Sequence, residues 1–378
     1  MSEKITGIQA HFQTLEDIRR RAGKRHGLMD ILTIAICAII CGADEWTGIE
    51  EYGRAKQDWL KQFLTLAHGI PSHDTFGRVF SWLDPVAFEQ CFLAWVKDVM
   101  QLTQGQVIAV DGKTLRCSQD SAHGKAAIHM VSAWAEKNRL VLGQVKVDEK
   151  SNEITAIPAL LRVLELHGCI VTTDAMGCQT EIATLIVDKG GDYLLALKEN
   201  QGQLYEDVFE LFAGAQEVNF FDVEHTYAKT TNKNHGRIEV RECWSVTDPD
   251  FIHYLRGFEQ WKNLHSLIKV SSQRQMAQGS SQEDRYFISS QKTPAKQLLK
   301  AARDHWSIEN GLHWVLDIAF REDDSRVRKD HAPENLAILR HIALNLLKQD
   351  TLIKRGIKNK RLVAAWNNDY LVHLLSGE

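Results

Sequence analysis

The stretch HWSIENGLHW (305–314) sets one glutamate, Glu309, between two His-Trp pairs. In an α-helix the 3.6-residue repeat brings His305, Glu309 and His313 onto one face, with Asp317 one turn further along. Trp306, Leu312, Trp314, Ile318 and Phe320 are expected to supply apolar contacts around that face, so the helix packs while aiming ionisable groups at something. A solvated polar face or a histidine satisfied within the core is the alternative. Two further acids stand at the ends of apolar runs: Asp111 in VIAVDG (107–112) and Asp174 in CIVTTDA (169–175). Each leaves a sheet where a strand becomes a loop, the place where open α/β sheets present their ligand groups. A buried, unpaired aspartate is costly, so these acids require a cation, a hydrogen-bond network or an arginine, unless each simply ties its own loop.

If Glu309 joins Asp111 and Asp174, the site has three hard oxygen donors and no thiolate, which favours Mg²⁺ or Mn²⁺ over zinc. Two such ions about 3.5–4 Å apart can activate a water or a 3′-hydroxyl and stabilise the leaving oxygen of an in-line phosphoryl displacement. A competing site, mononuclear zinc on His305, Glu309 and His313, has permitted ligand types but lacks the helical HExxH spacing.

The elements that must position these groups follow from periodicity. Residues 14–100 carry apolar residues at three- and four-residue spacing and are expected to be helical. Within them GIPSHDTFGRVFSWLDP (69–85) has Ser72 as N-cap and a stop at Asp84-Pro85, and it could form one arm of a helix-turn-helix. From about residue 105 the texture changes. VIAVDG, HMVSAWA (129–135), LVLGQVKV (140–147), CIVTTDA and DYLLALK (192–198) are expected strands, with helices over 153–166, where Pro158 should kink or delay the start, and over 180–190. Three antiparallel strands are expected over 236–246, 264–272 and 284–290, and helices return from PAKQLLKAARDHW (294–306) onward. The whole indicates a mixed α/β sheet covered by helices.

Composition narrows the class. The chain has 378 residues, 44 % of them hydrophobic, with a net charge of −4, which suits a soluble protein of two or three domains. Its longest apolar run, ILTIAICAIICGA (31–43), falls short of the roughly 20 residues a membrane-spanning helix needs. The first residues lack the apolar core of a secretory signal, so a cytoplasmic location and no membrane partner are expected. Seven scattered cysteines without a CxxC pair are expected to be reduced thiols. Basic residues cluster in RRRAGKR (19–25) and again over 340–361, at Arg340, Lys348, Lys354, Arg355, Lys358, Lys360 and Arg361. Either cluster could contact phosphates or be a solvated face.

VIAVDGKTLR (107–116), DEKSNEITAIPALL (148–161), TTDAMGCQ (172–179) with GGDYLLALKENQ (190–201), and HWSIENGLHWVLDIAFREDDSR (305–326) together resemble the DDE transposases of bacterial insertion sequences. The similarity is greatest to the H-repeat-associated proteins linked to Rhs elements, and it runs from about Thr14 to the C-terminus. The resemblance implies a ribonuclease H-like catalytic domain in which Asp111, Asp174 and Glu309 are catalytic and hold the metal, Mg²⁺ with Mn²⁺ as substitute, as two ions. It implies double-stranded DNA as partner, both element ends and target, and a homodimer in the synaptic complex. Four segments follow: a helical accessory or DNA-binding region (1–104), the first part of the catalytic domain (105–214), a β-rich insertion (215–292) and C-terminal helices with a basic tail (293–378). The larger DDE group carries Tyr-x2-Arg-x3-Glu-x6-Lys around its glutamate; here Glu309 is kept, but Ala302, His305 and Leu316 occupy the companion positions. His305 is therefore a candidate phosphate contact, and Asp317, Asp323 and Asp324 are alternative third ligands. Lys113 and Arg116 are candidates for contacting the scissile strand, and Arg116 could equally pair with an acid of the fold. Lys198 and Asn200 could steady DNA or form a turn; Trp244 and Trp261 could stack on a base or pack in the core. A ribonuclease H-like nuclease without transposition, and a silent DNA-binding remnant, are the alternative functions.

Overall fold

The structure is a computed structural model that describes residues 6–19, 24–99, 104–119, 126–147, 152–234, 237–276 and 279–376. The helical periodicity at the start becomes six helices: α1 (Thr6–Phe12), α2 (Leu28–Ile40), α3 (Trp46–Ala55), α4 (Gln57–Leu60), α5 (His73–Trp82) and α6 (Pro85–Val99). The apolar run is α2, in which every residue from Ile31 to Ile40 is buried. No helix among the described residues is long and apolar enough to cross a membrane. In α5, Ser72 is the N-cap residue, but its hydroxyl meets Thr75 Oγ1 at 3.2 Å rather than a backbone N–H.

The α/β texture forms one nine-stranded sheet in the order β3-β2-β1-β4-β5-β9-β8-β7-β6. Its first half comprises β1 (Val107–Leu115), β2 (Ile128–Ala135), β3 (Leu140–Lys146), β4 (Ile170–Thr173) and β5 (Asp192–Leu197). The first three strands are an antiparallel meander, and β1, β4 and β5 run parallel. This order and these directions make the fold ribonuclease H-like. The parallel strands need helical crossovers, α7 (Glu153–Val163) and α8 (Thr180–Asp188). Pro158 sits inside α7 without ending it, buried with Ala156, Ile157, Leu160 and Leu161. Residues 148–151, the start of one resemblance passage, lie outside the described residues.

After α9 (Gly202–Glu217) come β6 (His225–Asn234), β7 (Arg237–Val246), the short α10 (Pro249–His253), β8 (Ser266–Met276) and β9 (Gly279–Ser289). These strands continue the main sheet, because β9 pairs antiparallel with β5, from Leu194↔Ser289 to Leu197↔Tyr286. β6, HTYAKTTNKN, gives no strand signal in the sequence. It is an edge strand with mostly exposed or half-exposed polar residues, so apolar alternation is missing while the backbone ladder to β7 is complete.

The remaining helices are α11 (Ala295–His305), α12 (Trp314–Phe320), α13 (Ala332–Gln349), α14 (Ile357–Trp366) and α15 (Asn368–Ser376). α11 covers one face of the sheet, where Leu298, Leu299 and Ala302 meet Val107, Ile170, Leu194 and Ile268. Burying each such leucine contributes roughly 1.5–3 kcal/mol. α13 is buried on all sides from Ala332 to Leu347 and packs against α2, α5, α6 and β3. Its polar residues are bonded to backbone: Asn335 Nδ2 donates to the carbonyls of Phe80 and Leu83, and Asn345 pairs with both N–H and C=O of Val141, at 2.8 and 2.9 Å.

The C-terminal basic run is not one charged surface. Arg340, Lys360 and Arg361 are buried: Lys360 donates to the carbonyls of Leu347 and Asp350, and Arg361 to those of Ile39, Ala43 and Ala319. Lys348 lies over the Trp134 ring at 5.3 Å, leaving Lys354, Arg355 and Lys358 exposed. In RRRAGKR, residues 20–23 lie outside the described residues, and Arg19 and Lys24 are tied to Asp17.

Asn345→Ala strands a buried N–H and C=O of Val141 on β3. It is expected to cost about 1–3 kcal/mol, read as a lower urea midpoint at unchanged slope; an unchanged midpoint would show that these two bonds do not hold α13 to the sheet.

Candidate metal and active site

Side chains alternate across a strand, so Val107, Ala109, Asp111 and Lys113 of β1 share one face, as do Ile170, Thr172 and Asp174 of β4 and the residue after it. This is the face that α11 covers. The parallel register pairs Val110 with Thr173, so Asp111 and Asp174 are the next positions on neighbouring strands. Asp111 lies within β1 rather than at its end, because β1 continues to Leu115 along β2 after β4 has stopped.

The helix of the opening motif runs along these rows. His305 Nδ1 meets Thr172 Oγ1 at 3.0 Å; His313 Nδ1 lies 3.6 Å from Asp111 Oδ2 and 3.3 Å from Glu309 Oε2; Asp317 pairs with Lys113. Between α11 and α12, residues Glu309–His313 form a π-helical turn, a local widening common at functional sites. Gly311 in that turn approaches Trp134 so closely that a Cβ would lie 2.8 Å from its ring. One atom from each of Asp111, Glu309 and His313 falls within 4.8 Å of the others. Trp306, Trp314 and Ile318, expected as packing contacts, are instead the exposed side of this helix, because the sheet takes its polar face. Trp306 carries Arg285 over its ring at 4.8 Å.

The other sequence candidates are placed as follows. Lys113 is half-enclosed by acids, with Asp317, Glu322 at 2.9 Å and Asp323 at 3.8 Å. Arg116 is exposed and reaches Asp323 at 3.3 Å, and Asp324 pairs with Arg321 at 3.1 Å, so all three alternative third ligands already face cations. Lys198 is exposed, and its charge only partly offsets the rise that burial imposes on the Asp174 carboxyl. Asn200 Nδ2 donates to the Ala175 carbonyl at 2.7 Å and so ties down the loop that carries Asp174, whose own Oδ1 accepts from the N–H groups of Met176 and Gly177. Trp261 is buried in the core, and Trp244 stacks on Phe220.

Glu153 was not among the sequence candidates. It begins α7 on the opposite face and crosses over Gly112, where a Cβ would collide with its carboxylate and with His129. Its Oε1 meets His129 Nε2 at 2.6 Å, and His129 Nδ1 meets Thr114 Oγ1 at 2.8 Å. Its charge raises both aspartates. The only sequence signal is Gly112 itself, directly after Asp111 where the strand needs no flexibility.

Electrostatics reflect crowding. Burial pushes the Asp111 carboxyl up to about 7, and the charges of Asp174, Glu153 and Glu309 add to it while the Gly112 N–H opposes. Asp174 is also raised, mainly by burial. Burial holds the His305 imidazole down to about 4, so it is neutral at pH 7 and offers no charge to a phosphate. His313 is lowered by burial and then by Lys113. Several acids converge while the nearest lysine is committed elsewhere, so the donor set fits a hard divalent cation.

Because its folded pKa is raised, Asp111 binds its proton more tightly in the native state. Its contribution to stability therefore falls as pH rises from about 4 to about 7. In chelator, the melting temperature is expected to drop over this window in the wild type and to drop less in Asp111→Asn; parallel curves would contradict the crowding. Gly112→Ala should cost about 1–3 kcal/mol, and less in a Glu153→Ala background, because the pair is coupled; equal costs in both backgrounds would remove Glu153 from this contact.

Residues 102–346 match the transposase DDE domain family, and residues 9–96 match the family described as DDE_Tnp_1-associated. YncI of Escherichia coli O157:H7, provisionally named a transposase, is 44 % identical over 98 % of this chain and 95 % of its own. YhhI of Escherichia coli (strain K12), provisionally named an H repeat-associated transposase, is 41 % identical over 99 % of both chains. The shorter YbfQ of the same strain, named an inactive transposase, is 42 % identical over 21 % of this chain and 93 % of its own. With the domain match spanning most of the chain and full-length relatives at this identity, the protein belongs to the DDE transposase family, among the H repeat-associated proteins.

Proposed function

We propose that the protein is an active, metal-dependent transposase that cuts DNA at element ends and joins the 3′-hydroxyls to target DNA. The observation that carries the reading is the parallel register that sets Asp111 beside Asp174, with Glu309 brought to Asp111 by the π-turn. Asp111, Asp174 and Glu309 would hold Mg²⁺, or Mn²⁺ in its place, as two ions. When bound, such ions activate the attacking oxygen and stabilise the leaving one. The chain's own part is to keep the acids in register, to hold the Asp174 loop through Asn200, and to neutralise the DNA backbone.

For that backbone we assign a groove of about 1170 Å³ between the N-terminal helices and the segment after α12, lined by Arg78, Arg326, Arg328 and Lys329 together with Asp44, Glu45 and Asp74, and by Arg321 paired with Asp324. Lys113 is given no DNA contact, since its ammonium is spent on Asp317 and Glu322. Double-stranded DNA is the partner, a homodimer would bring two ends together, and the cytoplasm is the working compartment. The 1–104 region serves DNA binding, and the remainder the catalytic domain with its β-rich part and C-terminal helices.

Asp111→Asn, Asp174→Asn and Glu309→Gln are each expected to lower Mn²⁺-dependent cleavage and strand transfer by at least a hundredfold while the protein stays folded. Wild-type rates in all three would sink the proposal. Cleavage without joining would leave a nuclease, and DNA binding with no cleavage would leave a silent remnant of the kind that the name of YbfQ describes.

A further inference from the structure

His313 belongs to no part of the three-acid arrangement, yet its position is that of a ligand. The ring is 4 % exposed, and its Nδ1 faces Glu309 Oε2 at 3.3 Å and Asp111 Oδ2 at 3.6 Å. A histidine present only as a cation for these acids would lose much by burial unless both ring N–H groups were paired. Its Nε2, on the far side of the ring, is buried and has no hydrogen-bond partner among the described residues. The same is true of Glu322 Oε1 and His341 Nδ1, both of which belong to the charge network behind the ring. A neutral imidazole that turns its Nδ1 lone pair to a metal accounts for the side of the ring that faces the two acids, while its Nε2–H, with no acceptor among the described residues, lies in the field of the Glu322 carboxylate.

We infer that His313 Nδ1 is a nitrogen ligand of the metal held by Asp111 and Glu309, which makes that position a mixed nitrogen and oxygen site favouring Mn²⁺-class ions over Mg²⁺. The inference rests on the proposed carboxylate site and adds a ligand to it. The wide turn is its structural means: Glu309 and His313 are four residues apart, and the π-turn that spans them brings both donors to Asp111. Imidazole suits the borderline transition ions, whereas Mg²⁺ prefers an all-oxygen shell. His305, on the same helix, is engaged with Thr172 and lies outside the group.

The test uses the full chain with Mn²⁺ alone. Electron spin-echo envelope modulation of bound Mn²⁺ should show coupling to a coordinated ¹⁴N in the wild type, in His305→Gln and in His129→Gln, and none in His313→Gln. The preference for Mn²⁺ over Mg²⁺, from competition titration, should fall at least tenfold in His313→Gln. Should that variant fail to fold, the wild-type spectrum with the two retained controls still assigns the nitrogen. Mn²⁺ bound without nitrogen coupling, and released in Asp111→Asn, would overturn the histidine ligand and leave the carboxylate site intact. No Mn²⁺ binding in the wild type, or binding indifferent to Asp111→Asn, would overturn both.

Discussion

The fold holds like charges together in a partly buried place. Asp111 and Asp174 occupy adjacent positions on parallel strands, Glu309 arrives on the helix above, and Glu153 reaches across Gly112 from below. Mutual repulsion among buried carboxylates is relieved by protonation, by a cation, or by moving apart. Moving apart is prevented: Asp111 is inside a strand paired on both sides up to Val110, and the Asp174 loop is tied by its own turn and by Asn200. What remains is a cluster in which burial and mutual repulsion raise both aspartates, a crowding that a bound divalent cation would relieve.

The positive charge nearest these acids is used one layer deeper. Lys113 lies on the same row of β1 but turns to Asp317 and Glu322, and Arg340 from α13 stands 3.6 Å from the same glutamate. This network joins β1, the segment after α12 and α13. α13 in turn is wedged among α2, α5, α6 and β3, and Arg361 of α14 donates to the end of α2 and to the end of α12. The helices of the first hundred residues are thus packed on the elements that position the site, through a helix with no solvent face. Changes in the groove lined by Arg321 to Lys329 are mechanically close to Glu322, and hence to Lys113 and the acids beyond it.

Much was legible in the sequence because it depends on local rules. Apolar runs ending in an acid gave β1 and β4 and both aspartates. Helical spacing gave α2, α5, α7 and α8, and quoted motifs gave the family. The antiparallel strands 237–246, 266–276 and 279–289 were also visible through their apolar halves. β6 was not, since an exposed polar edge strand owes its shape to its neighbour's hydrogen bonds and not to its own side chains. Nor was it visible that these strands prolong the main sheet, a matter of which edge is free once β5 is placed.

The sequence by itself determined the chemistry on offer: which residues are acids, which strands carry them, and that one helical stretch carries His305, Glu309 and His313. Tertiary structure decided which of them meet. Pairing register, and not spacing, set Asp111 beside Asp174. The π-turn and the absent side chain of Gly311 let the helix lie on Trp134, sending His305 to Thr172 and His313 to Asp111. Long-range partners turned Lys113, Arg340, Lys360 and Arg361 from apparent surface charge into internal structure. A charge's role is set by the neighbours that desolvate or pair it, and those neighbours are distant in the chain.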